Sequence, residues 1–478
     1  MDKAQILIAA NRGPVSFSIA DDGSLEHRRG GGGLVSGMIS VATEIDSIWV
    51  CAALSDADRR AAAEAPGARL DRTHDLGGMR VHMLDIPRET FEGAYTGVAN
   101  SALWFVQHML YDTPNKPSFG SHFRKLWEDY TAYNNAFAEA LVAGAAEGAR
   151  VAVQDYHLAL VPRILRTRRP DLRIAHFSHT PWAPPEYFGM LPGQVARELL
   201  EGMLGADRLG FHSPRWVEAF LRCCARILRA DVDFGRRTVE YGGRVIELGV
   251  HALGADEEEL RENASGPTVA ARRATLEEAV GDTRLIVRVD RTELSKNIVR
   301  GLEAYRELLV TRPEWRGRVT HLAFAYPSRG DVPEYRAYTE TVTRKAKEIN
   351  AEFATAEWTP VVLEVNDDYP RSLASYQLAD VLLVNPIRDG MNLVAKEGPV
   401  LSERDSVLVL SHEAGAADEL GEHALLVNPY DTVETAEALH RALSMPEAER
   451  RRRRERLVEA AVALPPRRWF QEQLRSLD

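Results

Sequence analysis

Short β-rich runs alternate with longer amphipathic stretches along this chain, and they do so in two consecutive series. Parallel strands need a long crossover, usually a helix, so this alternation is the pattern of parallel sheets covered by helices on both faces. Candidate strands of the first series are residues 6–9, 48–51, 80–84, 151–153 and 174–177, with helical patterns such as residues 123–146 between them. After a break near Gly242-Gly243, residues 285–289, 320–324, 361–363, 381–384 and 407–410 repeat the scheme. The fold class is α/β with two doubly wound domains, as a chain of 478 residues is too long for one core.

Composition excludes several classes. With 45% apolar and 27% charged residues the chain has the make-up of a soluble globular protein. Its three cysteines, Cys51, Cys223 and Cys224, give neither a disulfide framework nor a CxxC pair, which fits a reducing, cytoplasmic setting. No apolar run reaches the length of a membrane span, and the first ten residues read as the start of a strand, not a signal peptide. A formal net charge of -11 opposes nucleic-acid binding, so an anionic substrate has to be held by local basic clusters. The arginine run 450–454 is interleaved with Glu447, Glu449 and Glu455 and reads as a solvated helix face.

In doubly wound sheets ligands bind beyond the strand C-ends, so the loops there carry the functional argument. Residues 385–397, N-P-I-R-D-G-M-N-L-V-A-K-E, follow the apolar run 381–384 and read as a strand, a tight loop and a helix start from Met391. Free amides and a positive helix end there suit an anionic ligand, while Asp389 and Glu397, roughly two turns apart, suit hydroxyls. A nucleotide sugar has that layout of charge and hydroxyls. An ordinary strand-to-helix turn capped by Asp389 accounts for this segment equally well.

Other strand ends add to it. Asn11-Arg12-Gly13-Pro14 is followed by a run of four glycines ending in Gly32-Gly33-Leu34, which permits close backbone approach but is not G-x-G-x-x-G. Gln154-Asp155-Tyr156-His157 and Ser178-His179-Thr180 place polar residues after two strands, where they serve equally as caps or satisfied core groups. His157, His176 and His179 lack metal-ligand spacing, so no metal site is read. Arg291 and Lys296 form a pair suited to a diphosphate, with Arg329 on a further strand-end loop.

The ordered set resembles the trehalose-6-phosphate synthase family of retaining glycosyltransferases. It includes Arg12 with Gly32-Gly33-Leu34, Tyr95 and Trp104 in Y-T-G-V-A-N-S-A-L-W, Asp155-Tyr156-His157, Ser328-Arg329-Gly330-Asp331, residues 388–397 and Asn428-Pro429-Tyr430-Asp431. The resemblance implies a GT-B fold, two Rossmann-like domains facing a central cleft. An acceptor domain would span 1–245, a donor domain 246–455, and a crossing C-terminal helix 456–478. It implies glucose transfer from UDP- or GDP-glucose to glucose 6-phosphate with retention, giving α,α-trehalose 6-phosphate.

Carried over, Arg12, Tyr95, Trp104 and Arg329 would surround the acceptor phosphate, with Asp155 on sugar hydroxyls and Gly32 and Gly33 closing over the substrates. Arg291 and Lys296 would hold the donor diphosphate, Glu397 the ribose, and Asp389 with the amides of Met391, Asn392 and Leu393 the transferred glucose. His179 would stand beside the reacting sugar. His179, Arg291, Lys296 and Asp389 are thus the expected catalytic group, with no cofactor and no metal, nucleotide-glucose and glucose 6-phosphate as partners, and a homo-oligomer compatible with the reading. The chain departs from the family's R-L-D-Y-S-K-G at Arg291-Thr292-Glu293-Leu294-Ser295-Lys296-Asn297, from W-x-G-W at Trp49-Val50-Cys51-Ala52 and from H-D-Y-H at Gln154-Asp155-Tyr156-His157. A cyclitol-coupling pseudo-glycosyltransferase, a non-catalytic sugar-phosphate sensor and a nicotinamide dehydrogenase are the alternatives.

Overall fold

Parallel pairing dominates both halves of the chain. The computed structural model describes residues 3–30, 38–39, 41–330 and 332–478. The chain divides into two compact units, residues 1–253 with 466–478, and residues 254–465.

The first unit carries β1 (Ala4–Ala9), a two-stranded antiparallel flap of β2 (Val15–Ile19) and β3 (Leu25–Arg29), then β4 (Ser47–Ala52), β5 (Arg80–Leu84), β6 (Ala145–Gln154), β7 (Arg173–Ser178), β8 (Arg208–Phe211), β9 (Asp231–Asp233), β10 (Thr238–Tyr241) and β11 (Arg244–Val250). Its main sheet runs β5-β4-β1-β6-β7-β8-β11-β10-β9. All of it is parallel except the edge pairs β11–β10 and β10–β9. Gly242 and Gly243, both at positive φ, make the tight turn between β10 and β11. The expected domain junction at 245/246 therefore falls inside β11, a strand paired on both sides, and the unit runs on to Leu253.

The second unit carries β12 (Arg284–Arg291), β13 (Val319–Tyr326), β14 (Val361–Glu364), β15 (Val381–Val384), β16 (Val407–Ser411) and β17 (Leu425–Val427), all parallel in the order β14-β13-β12-β15-β16-β17. The Val-Leu-Leu-Val of β15 is buried along its whole length, as a central parallel strand covered on both faces requires. Helices Ile298–Thr311, Pro333–Phe353 and Thr432–Leu443 supply Leu302, Leu308, Val342, Ile349 and Leu439 to that core. Residue 456, the expected start of the last segment, lies within the helix Glu447–Ala461; the terminal helix is Pro466–Arg475, which buries Trp469, Phe470 and Leu474 in the first unit.

Both sheets reverse strand order once in their interior. In the first unit this happens at β1, between β4 and β6, and in the second at β12, between β13 and β15. Splayed loops at such a reversal open a crevice beyond the strand C-ends.

Candidate active site

In the first unit that crevice is rimmed by the loops after β1, β6 and β7. Asn11 is buried and its Oδ1 accepts from Tyr133 Oη at 2.5 Å, while Arg12 beside it is exposed. Gly13 packs so closely that a Cβ there would lie 2.7 Å from Cys51 Sγ. Gly32 and Gly33 lie outside the described residues.

Asp155 sits at φ 72, a conformation an aspartate adopts only when its surroundings hold it. Its amide donates to Phe177 O at 2.7 Å, its carbonyl faces His176 Nε2 at 3.2 Å, and its Oδ1 accepts from the His179 amide at 3.2 Å. The loops after β6 and β7 are thereby stitched together.

Tyr95 and Trp104 come from a wide helix. Residues Gly93–Leu103 form a π-helix, and the amide of Trp104 donates to Ala99 O. Nine residues of α-helix would set the two aromatics on opposite faces, whereas the i→i+5 repeat, at about 4.4 residues per turn, brings them back to one face. The neighbours agree: Tyr95 stacks on His157 at 5.6 Å between centroids, and Trp104 lies 5.9 Å from Tyr156.

His179 is enclosed by partners. Its Nδ1 lies 3.1 Å from His212 Nε2, its Nε2 lies 3.0 Å from Gln154 Oε1, and the indole of Trp469 stands 5.6 Å away. Burial, with the imidazoles of His212 and His176 beside it, holds its pKa well below the ordinary histidine value.

In the second unit Arg291 ends β12, half exposed, and its Nη1 pairs at 3.0 Å with Glu293, a fully buried carboxylate that also accepts from Ser328 Oγ at 3.0 Å. Lys296 follows on a 3₁₀ turn, and its Nζ donates to Asp389 Oδ2 at 2.6 Å. Burial opposes the ammonium, but Asp389 and Asp290 outweigh it and the pKa of Lys296 ends raised. Asp389 also accepts from Asn392 Nδ2 at 3.1 Å and from the Met391 amide at 3.4 Å.

The helix expected from Met391 begins at Val394, because Asn392 takes φ 85 and no helix can run through it. The consequence favours ligand binding. Of the three amides expected to be open, Met391 turns back onto Asp389, while those of Asn392 and Leu393 meet no acceptor among the described residues. Glu397 stands on the first turn of the helix, its carboxyl raised to about 7 by burial and then by Glu259. Arg329, expected near the acceptor phosphate, belongs to the second unit, where its Nη1 donates to Tyr335 Oη at 2.6 Å.

Beneath these residues Arg288, 1% exposed, binds Asp290 at 2.8 Å, the Lys296 carbonyl at 2.7 Å and Asn385 Oδ1 at 2.5 Å. Asn297, at φ 59, donates to the carbonyls of Asn385 at 2.9 Å and Pro429 at 2.7 Å. One buried layer thus ties together the loops after β12, β15 and β17. Among the described residues no three His, Cys, Asp or Glu side chains are grouped as a metal site, and no helix is long and apolar enough to cross a membrane.

His212, Trp469, Glu293 and Asn297 were not among the residues read as functional. His212 follows β8 and was reachable by the same strand-end rule, and Glu293 and Asn297 were visible as departures from the family pattern. Trp469 lies within the expected C-terminal helix and carried no further signal.

Comparison with known proteins gives the family and the fold. A bifunctional trehalose-6-phosphate synthase/phosphatase of Thermoproteus tenax is 34% identical over 99% of this chain, which spans 63% of that protein's length. The UDP-forming α,α-trehalose-phosphate synthase of Schizosaccharomyces pombe is 32% identical over 93% of the chain and 85% of its own length. Among solved structures, an E. coli protein bound with UDP-2-fluoro glucose matches with TM-score 0.85 at 28% identity, covering 99% of this chain and 98% of that one. A UDP-forming synthase from Burkholderia xenovorans in complex with glucose-6-phosphate matches with TM-score 0.83 at 28% identity, covering 99% of each. A trehalose-6-phosphate synthase studied for glycosyl transfer with retention gives TM-score 0.85 at 27% identity, with 99% of each chain covered. The fold is GT-B, and with the profile of glycosyltransferase family 20 matched from residue 4 to residue 478, the chain belongs to that family.

Proposed function

We propose that the chain is a retaining glucosyltransferase that moves glucose from UDP-glucose to the anomeric hydroxyl of glucose 6-phosphate, releasing UDP and α,α-trehalose 6-phosphate. The observation that carries this is Lys296 held against Asp389 beside the open amides of Asn392 and Leu393, a site that offers charge and hydroxyl partners together. The names of the relatives, UDP-forming synthases and a complex with glucose-6-phosphate, support the substrates.

In this reading Arg291 and Lys296 bind the diphosphate and stabilise the charge that develops as it leaves. Asp389 and the loop amides hold the glucosyl group, and Glu397 takes the ribose hydroxyls. On the acceptor side Arg12, Tyr95 and Trp104 take the phosphate and Asp155 a sugar hydroxyl. The glycosidic bond to the diphosphate breaks as the acceptor oxygen bonds on the same face, and the departing phosphate oxygen takes the acceptor's proton. The reading assigns no carboxylate as a nucleophile and gives the charge stabilisation that a metal supplies elsewhere to Arg291 and Lys296, so it asks for no metal. The three cysteines are free and buried, which suits the cytoplasm.

The test is nucleoside diphosphate release from UDP-, GDP- and ADP-glucose with glucose 6-phosphate, with the disaccharide phosphate identified by mass and NMR. Turnover with UDP-glucose is expected. Binding of glucose 6-phosphate without turnover on any donor would overturn the synthase reading.

A further inference from the structure

The ring of His179 is the middle link of a hydrogen-bond chain contained in the first unit. Leu253 N lies 3.5 Å and His251 O 3.3 Å from His212 Nδ1. His212 Nε2 lies 3.1 Å from His179 Nδ1, His179 Nε2 lies 3.0 Å from Gln154 Oε1, and Gln154 Nε2 lies 3.3 Å from Gln473 Oε1 on the terminal helix. Each imidazole-to-imidazole or imidazole-to-amide link carries one proton between two heavy atoms. With Gln154 Oε1 facing the ring, His179 carries its proton on Nε2 and accepts at Nδ1 from His212 Nε2–H. His212 Nδ1 is then bare and accepts from the Leu253 amide at 3.5 Å, while the His251 carbonyl 3.3 Å away accepts from Trp469 Nε1 at 2.9 Å.

Adding a proton to His179 at Nδ1 would set it against His212 Nε2–H, or drive the His212 proton to Nδ1 toward a His251 carbonyl that Trp469 already serves, in a setting already poor for charge. The charged and titratable groups around the ring are His212 from the loop after β8, His176 from β7, and Asp155, which meets the amide of His179 and not its ring. The farther His251 lies 3.8 Å from Glu472. Two of these neighbours are imidazoles held below their ordinary pKa, His176 at about 4 and His251 also lowered, both by burial first.

We propose that Gln154, which stands where the family's H-D-Y-H has histidine, is a positioning residue that fixes His179 as a neutral Nε2–H imidazole. Through Gln473 it also ties the ring to the terminal helix. His179 is then a clamp of set orientation and not an acid or a base, and the amide of Gln154 does this without adding a titrating group. The effect on turnover rests on the transferase reading; the state of the ring does not.

The test reads both. In ¹⁵N-histidine spectra of the full chain, with His179 assigned by the signal lost in His179→Asn, the ring is expected to stay neutral with a protonated Nε2 between about pH 5 and 8. A titration of His179 in that window, or an Nδ1-protonated ring, overturns the proposal whether or not the protein turns over. Gln154→Leu removes the acceptor and is expected to lower kcat about tenfold with KM for glucose 6-phosphate changed less, the size expected for one lost buried hydrogen bond. Gln154→His restores most of that rate above about pH 7, where the new ring is neutral, and loses it on the acid side. Equal losses in the leucine and histidine variants at every pH would mean that the position matters only for packing, and would overturn the assignment.

Discussion

Lys296 Nζ and Asp389 Oδ2 stand 2.6 Å apart, each side chain 15% exposed, at the ends of the loops that follow β12 and β15. These are the strands at which the second sheet reverses, so the pair marks the crevice floor. In the proposed function an approaching diphosphate competes with Asp389 for the ammonium. Lys296→Ala is expected to lower kcat about 100- to 1,000-fold, the usual loss for one donor aimed at developing charge. Lys296→Arg is not expected to restore it, since a planar fork cannot replace a point charge on Asp389. Steady-state kinetics with UDP-glucose checks both.

Glu397 gives a pH prediction. Its carboxyl titrates near 4.5 when unfolded and about 7 in place, so the folded protein holds the extra proton between those values. The stabilisation is complete below the lower value and is lost as pH rises through the upper one. Glu397→Gln should therefore be more stable than the parent by about 1–3 kcal/mol near pH 8 and close to it near pH 4. Urea melts at the two pH values test this. If Glu397 takes the ribose hydroxyls as proposed, the same variant should bind UDP more weakly.

Asn297 occupies a left-handed position where glycine would be at ease. Its side chain repays the strain by serving two carbonyls, those of Asn385 and Pro429. Asn297→Ala keeps the strain and loses both bonds, so it should cost about 2–3 kcal/mol, and Asn297→Gly, which relieves the strain, about half of that. Thermal unfolding should rank the three as Asn, Gly, Ala.

Arg288 and Asp290 form an ion pair with side chains 1% and 5% exposed. Burial pushes the Asp290 carboxyl up, with Arg288 acting against it. Arg288→Met leaves that carboxylate buried without its nearest cation and should cost about 3–5 kcal/mol, whereas pairing it with Asp290→Leu should recover most of the loss. Denaturant unfolding of the two variants measures the difference.

The strands were legible because their signal is local. Residues 381–384 were read as a strand and form one, and the helix read at 123–146 is Ser121–Gly144. Gly242-Gly243 looked like a domain break because a hairpin turn and a linker call for the same residues, and only pairing tells them apart. The helix start at Met391 was misplaced because a left-handed asparagine leaves no mark in composition. Around the site, the strand-end rule reached Asp155, His179, Lys296 and Asp389. It could not reach what encloses them, since the contacts of His179 with His212 and Gln154 bridge 33 and 25 residues of chain and those of Asn297 bridge 88 and 132.

The wide helix that carries Tyr95 and ends before Trp104 works as a measured spacer. Since each residue turns it by about a quarter of a revolution, one residue gained or lost between the two aromatics would swing one of them away from the Tyr156-His157 corner, whatever its identity. The segment should then accept no change of length.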